Sequence, residues 1–273
     1  MADSQLGAYA AFSGLNDSDV ATYAEKGMMV RAAPPATGFE WDAHRYERAV
    51  AAVNHLEPDF VVMGGDMVDD PRSEGEFAEV MRITGLLRPD IPVHWVPGNH
   101  DIAFDTVVPT AESVNLYRQR FGAEAYSFHR GLASFIVANS TIWGHSEELP
   151  DAWDEGMAFL EAELEGATRR GSAHIIVFAH QPLFTTSVDE EDSYWNIAPE
   201  PRSRVLELLC SYGVRAVFSG HWHRNGGGMA GNVEVVVSGP VGYPLGPDPS
   251  GLRLVEIGSD ALRHCYLPLS RFD

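Results

Sequence analysis

Apolar positions along the chain fall into short unbroken runs, separated by longer stretches in which they recur at helical spacing. Trp41, Ala49, Val50, Val53 and Leu56 share one face of a helix read over 41–56, and Pro58 with Asp59 ends it. The apolar run 60–63 that follows predicts a buried strand. It stops at Gly64, Gly65 and Asp66, where a chain leaving a sheet can turn sharply and expose its next side chains. The same order recurs three times. A helix over 75–87 and a strand over 91–96 lead to Pro97, Gly98, Asn99, His100 and Asp101. A helix over 152–168 and a strand over 173–178 lead to Ala179, His180, Gln181 and Pro182, and a helix over 204–212 with a strand over 214–218 leads to the polar exit 219–223. Such alternation predicts βαβ units and a largely parallel sheet, whose polar exits meet beyond the carboxyl ends of the strands. Short strands without intervening helices, 125–129 with 133–139 and then 233–237, 252–257 and 262–267, predict antiparallel pairing and a mixed second sheet. Residues 7–38 carry Pro34 and Pro35 and no sustained period, and read as a long surface loop with one short helix.

Composition narrows the picture. The chain has 273 residues, 45% of them hydrophobic, enough for one α/β domain spanning 1–273 with a substantial core. A formal charge of −20 disfavours nucleic acid and anionic lipid as partners, so an anionic substrate has to be attracted locally. Carboxylates that bind divalent cations are compensated by the ions, so metal sites and acidity are compatible. No apolar run reaches the roughly 18 residues of a membrane span and no signal segment opens the chain, which makes a soluble cytoplasmic protein the expectation. Cys210 and Cys265 are too few for a disulfide framework and read as reduced core residues.

The exits hold the chemistry. A pair of hard divalent cations needs carboxylates, imidazoles and neutral oxygens a few ångströms apart, with one anionic group bridging. Asp66, His180, His221 and His223, with Asn99 as a neutral oxygen donor, supply these types, and Asp66 is the candidate bridge. His221 and His223 lie two apart, so on an extended exit loop both imidazoles face one cluster. Asp101 is read as orienting a loop. The segment Asp189, Glu190, Glu191, Asp192, Ser193, Tyr194, Trp195 reads equally as a cover over the site or as a solvated loop.

In chain order, Gly65-Asp66-Met67-Val68-Asp69, Gly98-Asn99-His100-Asp101, His180 and Gly220-His221-Trp222-His223 resemble the calcineurin-like metallophosphoesterases, whose pattern is GDxxD, GNHD, H and GHxH. The stretch from Ala2 to Gly7, with Asp3 and Gln5 where the family usually has Asp-x-His, is similar to the calcineurin-like phosphoesterase domain-containing protein phosphatases, which carry Gln there. The resemblance implies a four-layer α/β/β/α sandwich of two mixed sheets flanked by helices, and two divalent ions of manganese, iron or zinc. It implies Asp66, Asn99, His180 and His221 at one metal, and Asp3, Gln5, the bridging Asp66 and His223 at the other. His100 matches the general acid and Asp69 the residue that orients it. Arg224, directly after His223, is the candidate contact to phosphate oxygens. Only Met1 and Ala2 precede Asp3, so either the first strand is truncated, with an upstream part missing, or Asp3 hangs from a loosely fixed chain end. The implied activity is hydrolysis of a phosphomonoester, on a small molecule or on phosphoserine or phosphothreonine of a protein. The rivals are a phosphodiesterase and a scaffold with a degraded metal site. Purple acid phosphatases require Tyr where Asp69 stands.

Overall fold

The computed structural model describes residues 1–104 and 107–273. Helices α1 (Ala8–Ala11), α2 (Asp17–Glu25) and α3 (Glu40–Leu56) lead to strand β1 (Val61–Met63), and α4 (Glu74–Thr84) leads to β2 (Val93–Trp95). The short α5 (Asn99–Ile102) and α6 (Ala111–Phe121) precede β3 (Tyr126–Arg130), β4 (Ala133–Val137) and α7 (Ser140–Trp143). Helix α8 (Pro150–Arg169) comes before β5 (His174–Phe178), and α9 (Pro199–Ser211) before β6 (Ala216–Ser219). Strands β7 (Gly226–Ala230), β8 (Val233–Val237), β9 (Gly251–Ile257) and β10 (Leu262–Pro268) follow.

One sheet has the order β3-β4-β5-β6-β8-β7, parallel from β4 to β8 and antiparallel at both edges. Strand alternation sorts its residues onto two faces. Ile136, Ile175, Val177, Val217 and Val235 pack on Trp153, Leu160 and Leu164 of α8 and on Val205 and Leu209 of α9. Phe135, Ile176, Phe218 and Val236 point the other way, toward Phe60, Val255 and Ile257. Each such side chain, fully buried, contributes roughly 1.5–3 kcal/mol. The opposing strand layer consists of the parallel pair β1-β2 and the antiparallel pair β9-β10, and its outer surface is covered by Tyr46, Val50 and Val53 of α3 and Val80 and Ile83 of α4. These are four layers in the order α/β/β/α.

The strand assignment departs from expectation in two respects. The four strands with polar exits do not share one parallel sheet, because β1-β2 lies in one layer and β5-β6 in the other. Residues 126–137 and 233–237 join the large sheet, so of the strands expected in a mixed second sheet only the β9-β10 hairpin lies in the other layer, and β8 runs parallel to β6. The reason is β7, an edge strand whose Gly226, Gly227 and Gly228 carry no strand-like pattern; it turns the chain back so that β8 enters beside β6. Gly227 has φ 115°, and a β-carbon there would overlap the Val235 carbonyl. Residues 7–38 hold two helices rather than one, and α6, capped by the Thr110 hydroxyl on Ser113 N, went unread. Cys210 is half-buried and Cys265 is exposed on β10, so the latter is not a core residue; both are free thiols.

Among the described residues β1 pairs only with β2 and β9 only with β10. Between their open edges and the Phe135, Ile176, Phe178 and Phe218 side lies an apolar cavity of about 680 Å³, with Met1 at one end. The Met1 amine donates to Val62 O at 2.8 Å and Met1 O accepts from Gly64 N at 2.6 Å, which is a parallel register along β1. A Val/Ile-rich extension of about five residues joined to Met1 continues that register into the cavity. It is expected to raise Tm by roughly 4–8 °C, the shift that about 2 kcal/mol produces in a domain of this size. A Gly/Ser extension of equal length serves as control, and equal melting of the two would refute strand filling of the cavity.

Candidate metal centre

The exits of β1 and β2 from one layer face those of β5 and β6 from the other, and glycines permit the approach. A β-carbon on Gly98 would overlap the Asp66 carboxylate and amide, and one on Gly220 would lie 2.5 Å from Asp3 Oδ2. Asp101 knits the first two exits together. Its buried carboxylate accepts from Asp66 N at 2.7 Å, Met67 N at 2.8 Å and Gly98 N at 2.9 Å. Burial and the Asp66 charge push its carboxyl up to about 7. The loop-orienting role expected of Asp101 is the one its hydrogen bonds perform.

The start of the chain is firmly held, contrary to expectation. Asp3 N donates to Gly65 O at 3.0 Å, Gln5 N to Asp66 O at 2.8 Å and Leu6 N to Met67 O at 3.1 Å. On the other side Val241 N donates to Ala2 O and Gly242 N to Asp3 O, at 2.8 and 2.9 Å. Asp3 Oδ1 accepts from His221 N at 2.9 Å, which joins the first segment to the last exit. Backbone pairing on both flanks therefore fixes Asp3 in place.

Two buried trios result, Asp66 with His180 and His221, and Asp3 with Asp66 and His223; within each, the donor atoms lie within 4.8 Å of one another, and each trio could hold a metal ion. Asp66 belongs to both. Backbone carbonyls set the imidazole tautomers, because a carbonyl only accepts. His180 Nδ1 donates to Gly64 O at 2.8 Å and His223 Nδ1 to Tyr243 O at 2.6 Å, so each turns Nε2 toward the carboxylates. His180 Nε2 lies 3.0 Å from Asp66 Oδ2, and His223 Nε2 3.4 Å from Asp3 Oδ1. His221 is reversed: Nε2 donates to Tyr194 O at 2.9 Å and Nδ1 keeps the lone pair. Such outer partners fix ring orientation and raise ligand basicity.

The electrostatics are those of a site built around positive charge. Burial raises the Asp3 carboxyl above its ordinary range against the pull of His223 and His180. Asp66, equally buried, is held below that range by His180, His100 and His221. Burial would lower His180, but Asp66 and Asp3 outweigh it and lift the imidazole to about 9, whereas burial beside His180 drops His221 to about 3. Asp3 Oδ2 and Gln5 Oε1 are buried acceptors with no hydrogen-bond partner, an arrangement costly in a closed core and suited to cation ligands. Asp3, Gln5, Asp66, His221 and His223 all have left-handed φ, between 32° and 66°; among the other described non-glycine residues only Glu57 does. Each left-handed residue costs roughly 1–2 kcal/mol, and strain gathered on one donor set marks a functional site. The donor chemistry therefore fits a pair of divalent cations. His221 and His223 reach it from alternating left-handed positions, not from the extended loop the sequence suggested.

His100 N donates to Asp66 Oδ1 at 2.9 Å, which leaves its ring at the rim. The ring Nδ1 lies 2.9 Å from the Asp69 carbonyl and 3.6 Å from the Asp69 carboxylate. The backbone of Asp69 thus orients the imidazole. Its carboxylate Oδ1 instead accepts from Gln5 Nε2 at 3.0 Å, and that bond turns Gln5 Oε1 away as the unpartnered acceptor.

Residues 40–225 match the sequence model of the calcineurin-like phosphoesterases. The chain belongs to that family. It is 37% identical over 242 residues to the serine/threonine-protein phosphatase CPPED1 of Mus musculus, covering 86% of this chain and 77% of that protein. It is 38% identical over 186 residues to a probable cyclic nucleotide phosphodiesterase of Pseudoalteromonas, covering 67% of this chain and 63% of that protein. In fold it is similar to purple acid phosphatase PPD1 from yellow lupin seeds, with TM-score 0.61 and 17% identity, over 84% of this chain and 47% of that one. This calcineurin-like chain is a metallophosphoesterase, and its family implies divalent metal ions. Among its described residues no helix is long and apolar enough to cross a membrane.

Of the residues read from the phosphoesterase motifs, Asp3, Asp66, His180, His221 and His223 converge in the trios, with Asn99 and Gln5 buried beside them. Arg224 does not join them. Its Nη2 donates to the carbonyls of Gly27 and of Leu245, the latter at 2.6 Å, and the guanidinium lies 5.2 Å over the Trp222 ring, which ties the last exit to the 7–38 region. The carbonyls of Gly64, Tyr194 and Tyr243 escaped the sequence reading, since a backbone acceptor has no residue signature. Gly98→Ala is expected to displace Asp66 and cost roughly 1–3 kcal/mol of stability. Titration calorimetry with Mn²⁺ should show the loss of at least one binding event, and two full-affinity sites in the variant would refute the packing argument.

Proposed function

We propose that this phosphoesterase hydrolyses phosphomonoesters, phosphoserine and phosphothreonine of proteins among them, at a binuclear centre. Asp66, Asn99, His180 and His221 would hold one ion of manganese, iron or zinc, and Asp3, Gln5, Asp66 and His223 the other. The observation that carries this reading is the place of Asp66 in both trios. When bound, the two cations supply charge that acidifies an attacking water and offsets charge on the phosphoryl oxygens. Loading the His180 position displaces the proton between His180 and Asp66, so metal uptake weakens as pH falls.

The chain's own residues do the rest. With Nδ1–H donated to the Asp69 carbonyl, His100 carries its exchangeable proton on Nε2 and gives it to the departing alkoxide. The left-handed ligands and the Asp101 clamp keep the donors in place before substrate arrives, so little reorganisation accompanies reaction. The monoester choice rests on the likeness to CPPED1 phosphatases, and the likeness to a probable cyclic nucleotide phosphodiesterase supports diesters as the second reading.

His100→Ala is expected to retain both metals by atomic absorption yet hydrolyse phenyl phosphate roughly 10²–10⁴-fold more slowly, with a smaller loss on 4-nitrophenyl phosphate, whose leaving group needs no proton. Equal losses on both would remove His100 as the acid. Faster turnover of bis(4-nitrophenyl) phosphate than of the monoester by the parent protein would shift the reading to diesters.

A further inference from the structure

The acidic run 189–192 is not uniform. Asp189, Glu191 and Asp192 are exposed, whereas Glu190 turns inward and serves as the hub of the loop 185–197, which joins the β5 exit to α9. Its carboxylate accepts from Thr185 N at 2.6 Å, Thr186 N at 3.0 Å, Ser187 N at 3.3 Å, both threonine hydroxyls at 3.0–3.1 Å and Asn196 Nδ2 at 2.6 Å. These donors overcome the effect of burial and hold its carboxyl down to about 2. Buried Arg202 closes the same loop from beneath, donating from Nη1 to Val188 O and Glu190 O, each at 2.7 Å, and from Nε to Ile197 O at 3.0 Å. Asn196 passes the constraint on: its Oδ1 accepts from Ser193 N at 3.0 Å, one residue before Tyr194.

The loop delivers one atom to the metal centre, the Tyr194 carbonyl 2.9 Å from His221 Nε2. The Tyr194 and Trp195 rings lie 5.0 and 5.7 Å from the His221 ring and edge-on to each other, 4.7 Å apart. A rigid acceptor at that point keeps the proton on Nε2 and the lone pair on Nδ1, facing the Asp66 trio. Were the loop free to drift, the carbonyl would no longer select the tautomer. An imidazole without that acceptor can carry its proton on either nitrogen.

We infer that Glu190 is a positioning residue for the metal centre, acting through the side-chain amide of Asn196 and the backbone of Ser193 and Tyr194 to fix the tautomer and orientation of His221. The inference rests on the proposed role of His221 as a ligand, and the site affected is the one it shares with Asp66 and His180; the Asp3, Asp66, His223 trio has no contact with this loop among the hydrogen bonds described. Glu190→Gln places an NH₂ against N–H donors and should release the loop without emptying its space.

The experiment has two arms. In metal-free protein, long-range ¹H–¹⁵N NMR of His221 should show a single Nε2–H tautomer in the parent and mixed tautomers in Glu190→Gln, with the weaker Asn196→Ala variant in between. In the second arm, Mn²⁺ titration should show one of two sites weakened about 10–100-fold in Glu190→Gln and the other unchanged, the usual effect of removing an outer hydrogen-bond partner. An unaltered tautomer in both variants overturns the inference, whatever the metal result. A tautomer shifted in the variants while the parent protein binds no Mn²⁺ would uphold the positioning of His221 and sink the binuclear reading instead.

Discussion

Two carboxylates and three imidazoles are buried together between the two strand layers, and the compensation of that buried charge is the constraint on which the rest depends. Asp3 and Asp66 are both essentially inaccessible, at 0% and 2% exposure. An isolated buried carboxylate would protonate or draw water in; here each is bracketed by imidazoles whose far nitrogens are committed to carbonyls. The result is an array with acceptors left over, Asp3 Oδ2 and Gln5 Oε1, which no hydrogen-bond donor among the described residues meets. Divalent cations close that balance in a way that a lysine or arginine, with a long stem to house, would not.

Bringing the donors so close dictates the local backbone. Strand exits from two layers approach until only glycine fits at Gly65, Gly98 and Gly220, and the candidate ligands Asp3, Gln5, Asp66, His221 and His223 take left-handed φ. That strain has to be over-determined by the surroundings. The Asp101 carboxylate, gathering three backbone N–H groups, restrains the Asp66 and Gly98 loops, and pairing of residues 1–6 along 62–67 restrains Asp3 and Gln5. Core and site are thereby continuous: the valines and isoleucines of β4, β5, β6 and β8 fix where the exits end, and the exits fix the ligands.

Much of this was legible in the residues because buried parallel strands write themselves as short apolar runs. The runs at 60–63, 91–96, 173–178 and 214–218 each coincide with an observed strand, and the polar residues behind them meet. What stayed hidden has physical reasons. Strand β7 is Gly226-Gly227-Gly228-Met229-Ala230, whose place is set by close approach to Val235 and not by propensity. The order of β8 follows from that strand and was misread with it. Arg224 stood next to a ligand in sequence, but its long side chain reaches back over Trp222 to Gly27 and Leu245, so adjacency said nothing of direction. Glu190 looked like one more solvated acid, because the donors that surround it belong to its own loop.

The same comparison explains why Asp69 is needed where Gln stands at position 5. An amide can present either its oxygen or its NH₂, and the NH₂ would repel a cation. Gln5 Nε2 donates to Asp69 Oδ1, an acceptor-only group when ionised, so the amide is locked with Oε1 free. Burial raises the Asp69 carboxyl above its ordinary range against the pull of His100 and of the Gln5 bond. Asp69 therefore holds both candidate groups, its backbone carbonyl bonded to His100 Nδ1 and its carboxylate to Gln5 Nε2. A histidine at position 5 would make that second duty one of tautomer choice; with glutamine it becomes one of amide orientation, and the carboxylate suits either.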